Sequence, residues 1–557
     1  MKFYLLLFAA LMISAAGYSQ KSSLKIEIPK NWHQLDKDST GYYGVSLNKA
    51  YNFIKTKKLK SKQVIVAVID SGIDTLHEDL KPVLWTNSKE IPGNGIDDDG
   101  NGYVDDVHGW NFLGGKDGRN VKEDSWEGAR VYHKYKEKYK DSIPDENTVS
   151  LDEKAQIEMY KKAKASVTGD VDFAEIAFMK RILPNFKNGD SVVRKELGKE
   201  EYSCNDLENY TTNDASAKLA KSFLMQLCKG NQTNDVTNQQ IIEELEGRIR
   251  KGEAATTAPE EYRKNIVQDN EDDSTDRFYG NNDIMASTPM HGTHCSGIIG
   301  AVRNNDKGVD GTADNVRIMM LRAVPDGDEH DKDIANAIRY ATDNGAQIIS
   351  MSFGKSFSPQ KKWVDDAVKY AESKNVLLVA AAGNDSKNID STDNFPSPIF
   401  LDGTTGASNW ITVGASGDPK NGGLTAYFSN YGKKQVDVFA PGVQIYSTLP
   451  GGNTYGRLSG TSFACPLVAG TAALVLEYFP TLTAKQLKYV IEKSAVVLKE
   501  EVKNPGTGEM VKLSDISKTG GLLNAYEAVK LASTLKGNTE ENKDVLPQSK
   551  LKRQKKG

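Results

Sequence analysis

The run Val64-Ile-Val-Ala-Val-Ile69 is continuously apolar, mostly β-branched, and stops at the carboxylate of Asp70. An unbroken run of this kind suits a strand buried on both faces of a parallel sheet. The pattern recurs in Ile348-Ile-Ser-Met-Ser-Phe353 and Val376-Leu-Leu-Val-Ala-Ala381, each closely followed by glycine. Between them, residues 331–344 read as a helix with Ile334, Ile338 and Ala341 on one face and Gly345 as its stop. Residues 363–374 read the same way, with Val364, Ala367, Val368 and Ala371 inward. This alternation predicts an α/β fold, a mainly parallel twisted sheet with helices on both faces. Ligands of such folds sit at the carboxyl ends of the strands, where Asp70 and Asn384 fall.

Four separated segments carry complementary chemistry. Asp70 closes the first strand, His291 opens His291-Gly-Thr-His294-Cys-Ser-Gly297, and Ser462 lies in Ser459-Gly-Thr-Ser462-Phe-Ala-Cys-Pro466. A carboxylate, an imidazole and a hydroxyl are the groups that turn an alcohol into a nucleophile at neutral pH. Asn384, after Val379-Ala-Ala-Ala-Gly383, offers an amide able to hold an oxyanion. The stretch after Ser462 has an early Pro466, then Leu467, Val468, Ala472, Ala473, Leu474 and Leu476. Ser462 is therefore expected to open a buried helix whose positive end faces the developing anion. Thr483-Ala-Lys-Gln486 is a capping-box pattern for a further helix.

The order Asp…His…Ser and these four motifs resemble the subtilisin-like serine peptidases, the subtilases. The resemblance implies that Asp70 is the triad carboxylate, His291 the general base and Ser462 the nucleophile. Asn384, with the Ser462 N–H, would hold the oxyanion, and His294 would be a packed helix residue. It also implies that Ser352, Phe353 and Gly354 pair with a peptide's main chain. Ala381 and Gly383 would help wall a pocket for apolar or aromatic side chains, and acidic residues 326–329 would form a second edge favouring basic ones. The implied activity is a secreted endopeptidase of broad specificity with some apolar preference, acting on proteins or peptides through an acyl-enzyme. An esterase or transpeptidase would use the same triad. A non-catalytic binding protein of this fold is the remaining alternative, weakened because no triad residue is missing.

Lys2, the apolar run from Phe3 to Ile13 and Ala16-Gly17-Tyr18-Ser19 read as a signal peptide over residues 1–19. Export to the periplasm or the exterior is expected. No later stretch is long and apolar enough to predict an integral membrane span. A formal charge of −4 offers no basic footprint for nucleic acid. The expected layout is an N-terminal segment at 20–60, a catalytic part at 61–124, and a charged, mostly helical insertion at 125–280. A second catalytic part follows at 281–535, then a disordered basic tail at 536–557. Little chain remains before Asp70 for an inhibitory prodomain. Cys204 and Cys228 could pair, while Cys295 and Cys465 read as small buried residues.

The loop Gly95-Ile-Asp97-Asp98-Asp99-Gly-Asn101-Gly-Tyr103-Val-Asp105-Asp106 concentrates carboxylates around glycines. Oxygen ligands at alternate positions suit Ca²⁺, with Asp97, Asp99, Asn101 and Asp105 as candidates. His108 stands where an EF-hand would carry its closing Glu. By resemblance alone, Asp79 and Asn305 would hold a second, structural calcium.

Overall fold

The computed structural model describes residues 28–537, apart from 141, 170, 200, 231–235, 287–288 and 403–405. The expected signal peptide and almost all of the expected tail lie outside the described residues.

The strands, in chain order, begin with β1 Val64–Asp70, β2 Gly109–Asn111, β3 Val316–Arg322 and β4 Ile348–Met351. They continue with β5 Leu377–Ala381, β6 Trp410–Ser416, β7 Val438–Pro441, β8 Ile445–Leu449 and β9 Thr454–Leu458. Short strands β10 Val496–Val497, β11 Val502–Lys503, β12 Met510–Val511 and β13 Gly521–Leu522 complete the set among the described residues. Nine of them form one sheet in the order β10-β13-β7-β6-β5-β4-β1-β3-β2. Every pairing in it is parallel except β10 with β13. β8–β9 and β11–β12 are separate antiparallel pairs.

Helices α1 Lys37–Thr40 and α2 Leu47–Lys57 precede β1. Between β2 and β3 come α3 Glu127–Tyr135, α4 Leu151–Thr168, α5 Phe173–Leu197, α6 Cys204–Leu207, α7 Ala215–Gly230, α8 Asn238–Glu253, α9 Tyr262–Ile266 and α10 Met290–Gly300. Helices α11 Asp331–Asp343, α12 Lys361–Ser373, α13 Thr461–Tyr478, α14 Ala484–Ser494 and α15 Ala525–Ala532 follow. The unbroken apolar run of β1 has a simple cause. Val64, Val66 and Val68 enter a core shared with α2, α10, α13, α14 and α15, whereas Ala67 and Ile69 enter the opposite core with α11 and α12. The α/β architecture expected from the periodicity is the one observed. The strand read at 348–353 ends at Met351, because the next residues leave the ladder and border a cleft.

The capping box of α14 forms as read: Gln486 N–H donates to Thr483 Oγ1 at 3.2 Å and Thr483 N–H to Gln486 Oε1 at 2.9 Å. Helix α13 is apolar on all sides because it runs through the core. Contrary to the sequence expectation that no later stretch is long and apolar enough to cross a membrane, α13 is, alone among the described residues; its apolarity belongs to the core, since 89% of it is buried inside the protein.

Helices α5, α7 and α8 enclose their own small core, built around Phe186, Leu224 and Leu245. A Cys204–Cys228 disulfide ties α6 to α7, deciding the pairing that the sequence left open. Upstream of β1, Trp32 is fully buried and its indole N–H donates to the Val443 carbonyl at 3.1 Å. The segment before the sheet is thus part of the main core. Trp32→Ala should lower unfolding free energy by about 3–5 kcal/mol, through lost burial and a cavity. Urea denaturation should show a lower midpoint with an unchanged slope.

Candidate active site

Parallel register sets the level of the site. Ile69 pairs with Met351, and Met351 with Ala380, so Asp70, Ser352 and Ala381 stand side by side at the carboxyl edge of the sheet. Asp70 is buried, and its Oδ1 accepts from His291 Nδ1 at 2.8 Å and from Ser71 N–H at 2.7 Å. His291 sits in the first turn of α10, which approaches the end of β1 closely. A Cβ on Gly292 would lie 2.1 Å from the Gly72 carbonyl, so only glycine fits there. Arg322, directly across from Asp70, is fully buried and braces this turn: Nε donates to the Ser71 carbonyl at 3.0 Å and Nη2 to the Val121 carbonyl at 2.7 Å.

Ser462 occupies the first turn of α13, and its Oγ donates to the Ser352 carbonyl at 3.1 Å. With the hydroxyl engaged there rather than at His291, it must rotate toward the imidazole before transferring a proton. Resting geometries of this looser kind are common in ligand-free sites. The Ser462 N–H, at the positive helix end, has no partner among the described residues. Asn384 Oδ1 accepts from Thr461 N–H and Thr461 Oγ1, both at 2.9 Å. With its oxygen anchored, the amide presents its NH₂ beside the start of α13. Asn430 shapes the turn: its Nδ2 donates to the Ala382 carbonyl at 2.9 Å, and its Oδ1 accepts from Asp385 and Lys387 N–H groups.

The site is electrostatically polarised. Burial opposes a charged imidazole, but the Asp70 carboxylate overrides it and holds His291 well above the ordinary value of 6.5. His294 behaves oppositely: burial pushes it down to about 3, and its ring packs on Phe463 as expected of a core residue. Cys295 and Cys465 are both free and buried. Burial pushes Cys465 up to about 12 and raises Cys295 as well, so both are thiols at neutral pH.

A cleft of about 1120 Å³ opens beside Ser462. Ser352, Phe353, Gly354, Ala381, Gly383 and Asn384 line it, together with residues 325–328. Its opposite wall comes from the helical segment, including Glu175 and Met179 of α5 and Glu243 and Gly247 of α8. Beyond Gly354 the cleft meets buried charges. Lys355 Nζ lies 2.8 Å from Glu127 and 2.9 Å from Asp331, and Arg130 of α3 pairs with Glu127 and Asp124. Burial would lower Lys355, but Asp331 and Glu127 hold the ammonium well above its ordinary value.

In the acidic loop, Asp97 and Asp99 converge with Glu90, a carboxylate oxygen of each lying within 4.8 Å of the others. Asp105 points elsewhere. Its carboxylate accepts from the N–H groups of Gly93, Asn94 and Gly95 and shapes the loop. Asn101 Nδ2 donates to Asp106, whose carboxyl burial raises. At the second expected site, Asn305 Nδ2 donates to Asp79 Oδ1 at 2.6 Å, and Tyr455 OH to Asp79 Oδ2 at 2.8 Å. Sequence reasoning missed Glu90, Arg322, Asn430 and Lys355. Only Asn430 carried a local signal, its place in the polar turn Ser429-Asn430-Tyr431-Gly432, and that pattern marks any turn.

The chain matches the sequence model of the Subtilase family over residues 61–526. It is 36% identical over 270 residues to thermitase of Thermoactinomyces vulgaris, covering 47% of this chain and 85% of that one. It is 40% identical over 240 residues to a thermophilic serine proteinase of Bacillus sp. strain AK1, covering 43% and 52%. Against subtilisin DY of Bacillus licheniformis the identity is 38% over 211 residues, covering 37% and 71%. Among solved structures, it is similar to the Pseudoalteromonas arctica PAMC 21717 proteases with a TM-score of 0.44 and 19% identity, covering 90% and 97%.

The His291–Asp70 contact makes a direct prediction. By NMR, the His291 imidazole should titrate above 6.5. Asp70→Asn removes the charge that raises it and leaves the burial that lowers it, so the titration should move down. A raised folded pKa adds stability that is complete below the unfolded imidazole's value and is lost as pH rises through the folded one. The Asp70→Asn melting temperature should therefore fall most, relative to the parent, on the acid side of that window.

Proposed function

The chain belongs to the subtilase family and is a serine endopeptidase, and from that premise we propose an exported enzyme that cleaves proteins through an acyl-enzyme on Ser462. The hydrogen bond from His291 to buried Asp70, with Ser462 on the adjacent helix turn, carries this reading. Ser462 Oγ attacks the peptide carbonyl as His291 takes its proton. His291 then delivers that proton to the leaving amine, and water repeats the cycle to release the acid. Asp70 keeps the imidazole in the right tautomer and stabilises the imidazolium without itself taking the proton. The oxyanion meets the Ser462 N–H and the Asn384 NH₂. Loss of one such side-chain donor costs about 10²–10³ in turnover, a range that comes from a subtilisin. Ser352, Phe353 and Gly354 pair with the substrate main chain. Ala381 and Gly383 wall a pocket for apolar side chains. The helical segment across the cleft restricts which folded proteins can enter.

Export is supported by the charged start and apolar run at the N-terminus, and by the Cys204–Cys228 disulfide, which belongs in an oxidising compartment. The residues fit calcium. Glu90, Asp97 and Asp99 gather oxygens that repel one another unless a cation joins them, and hard oxygen donors suit Ca²⁺. Asp79 is buried with neutral partners and no ion pair among the described residues, so with Asn305 it is the second candidate. Bound there, the ion would hold loops together and take no part in the chemistry.

Ser462→Ala should abolish fluorophosphonate labelling and casein cleavage while the fold persists; retained labelling would overturn the assignment. Because His291 must be neutral to act as base and is held above its ordinary value, kcat/KM should rise with pH along a limb centred above 6.5. EDTA should lower the melting temperature and speed autolysis, with Ca²⁺ but not Zn²⁺ restoring both. An ion present at about 1,000 times its Kd and bound only by the folded state stabilises it by about 4 kcal/mol. Unchanged melting in a metal-free preparation would leave only an acidic turn.

A further inference from the structure

Two extended segments flank the cleft at Ser462. One is Ser352-Phe353-Gly354 beyond β4; the other is Asp326-Gly327-Asp328-Glu329 beyond β3. Gly354 and Gly327 have main-chain N–H and C=O groups without partners among the described residues. Asp326, by contrast, is paired on its far side, donating to the Lys122 carbonyl at 2.9 Å and accepting from Asp124 N–H at 3.0 Å. Alternate residues of an extended chain point their hydrogen-bonding groups to opposite sides. The open side at Gly327 therefore faces the cleft. Its φ is +146°, and a Cβ there would lie 2.1 Å from the Asp124 carbonyl, so glycine alone lets this edge sit so close to the chain leading into α3.

The channel between the two edges does not continue. Lys355 follows Gly354, is 5% exposed, and sends its ammonium across to the opposite edge. There it donates to the Glu329 carbonyl at 2.6 Å while held by Glu127 at 2.8 Å and Asp331 at 2.9 Å. Arg130 takes the Asp328 carbonyl at 2.9 Å and the Glu329 carbonyl at 3.3 Å. Glu127 N–H donates to the Asp328 carboxylate at 2.8 Å, which seats α3 on the same edge. The carbonyl of Glu329, next after Gly327 in the alternation, is already satisfied from inside the protein.

We propose that Lys355 is a specificity-determining residue that closes the upstream end of the substrate channel, so that main-chain pairing stops after the third residue before the cut bond. The count rests on the endopeptidase reading above and takes the residue before the cut bond as lying opposite Ser352, whose carbonyl already accepts from the nucleophile Ser462 Oγ at 3.1 Å. One-for-one pairing then puts the third residue upstream opposite Gly354 and the fourth at the Lys355–Glu329 bridge. Residues further upstream leave the strand direction and turn into the cavity walled by α5 and α8. Glu127 and Arg130 come from α3, so the helical segment supplies part of the closure.

The test is a series of N-acetylated peptide anilides with the same three residues before the cut bond, extended upstream by one and then two alanines. Wild-type kcat/KM should change by less than about threefold on adding the fourth residue, since no main-chain bond is gained. Lys355→Gly, combined with Glu127→Gln so that one buried charge of each sign is removed, should open a gain of about tenfold, the size of one or two main-chain hydrogen bonds. The readout is the ratio of two substrates within one preparation, so a partly folded variant does not distort it. A tenfold gain in the wild type overturns the closure, and an unchanged ratio in a folded double variant overturns its assignment to Lys355. If the variant does not fold, the wild-type ratio decides. Failure of the wild type to cleave any member would overturn the endopeptidase reading itself, a result distinct from either.

Discussion

Parallel pairing among β1, β4 and β5 holds this structure and its site together. Ile69, Met351 and Ala380 stand at one level, so three chains leave the sheet next to one another and turn toward the same cleft. A slip of one residue in any pairing would reverse which side chains enter which core. It would also move Asp70, Ser352 or Ala381 away from the others. The packing of the sheet therefore determines the positions of the polar groups. Helices α10 and α13, in the core on one face, deliver His291 and Ser462 to that level from their first turns.

Placing a carboxylate at this level has an electrostatic consequence. Asp70 is buried at a strand end, and one of its oxygens, Oδ2, has no hydrogen-bond partner among the described residues. The His291 ring nitrogen lies 2.8 Å from the other oxygen, and that carboxylate raises the imidazole above its ordinary value against the effect of burial. Three residues along α10, His294 faces the core without a carboxylate and is driven the other way. Two histidines on one helix thus differ because of what their rings meet.

The helical segment between β2 and β3 is joined to the catalytic core by apolar packing, as of Val131 and Ala163 on Phe357, and by buried charge. Glu127 and Arg130 of α3 lock onto Lys355, Asp124 and the 328–329 carbonyls. At its far end, Arg263 of α9 makes a two-pronged bond to Asp333 at the start of α11. Removing one partner from such a contact leaves an uncompensated buried charge, a loss of about 3–5 kcal/mol by general experience. An apolar contact of the same area could slide; these directional contacts cannot. Their directionality keeps the wall of the cleft in register with its floor.

Strands β1, β4 and β5, helices α11, α12, α13 and α14, the cap of α14 and the segments bearing Asp70, His291, Ser462 and Asn384 were legible in the chain, whereas the other six strands of the sheet were not read from it. Each depends on a local pattern: an apolar run that needs two buried faces, a 3.6-residue stripe, or a short run of glycines around one reactive group. What lay beyond the sequence shares one physical trait, that it depends on groups meeting across the fold. Asp97 and Asp99 are joined by Glu90 while Asp105 turns to cap amides, because loop closure, not spacing, decides which carboxylates converge. Asn430 supports the turn at Asn384 from a distant loop, and Arg322 braces the Asp70 turn from the neighbouring strand. Lys355 reads in sequence as one more surface lysine. Only the approach of α3, α11 and the 326–329 edge buries it and sets it across the channel, because the groups that hold it come from two separate parts of the chain, Glu127 on α3 and the stretch from the Glu329 carbonyl to the Asp331 carboxylate.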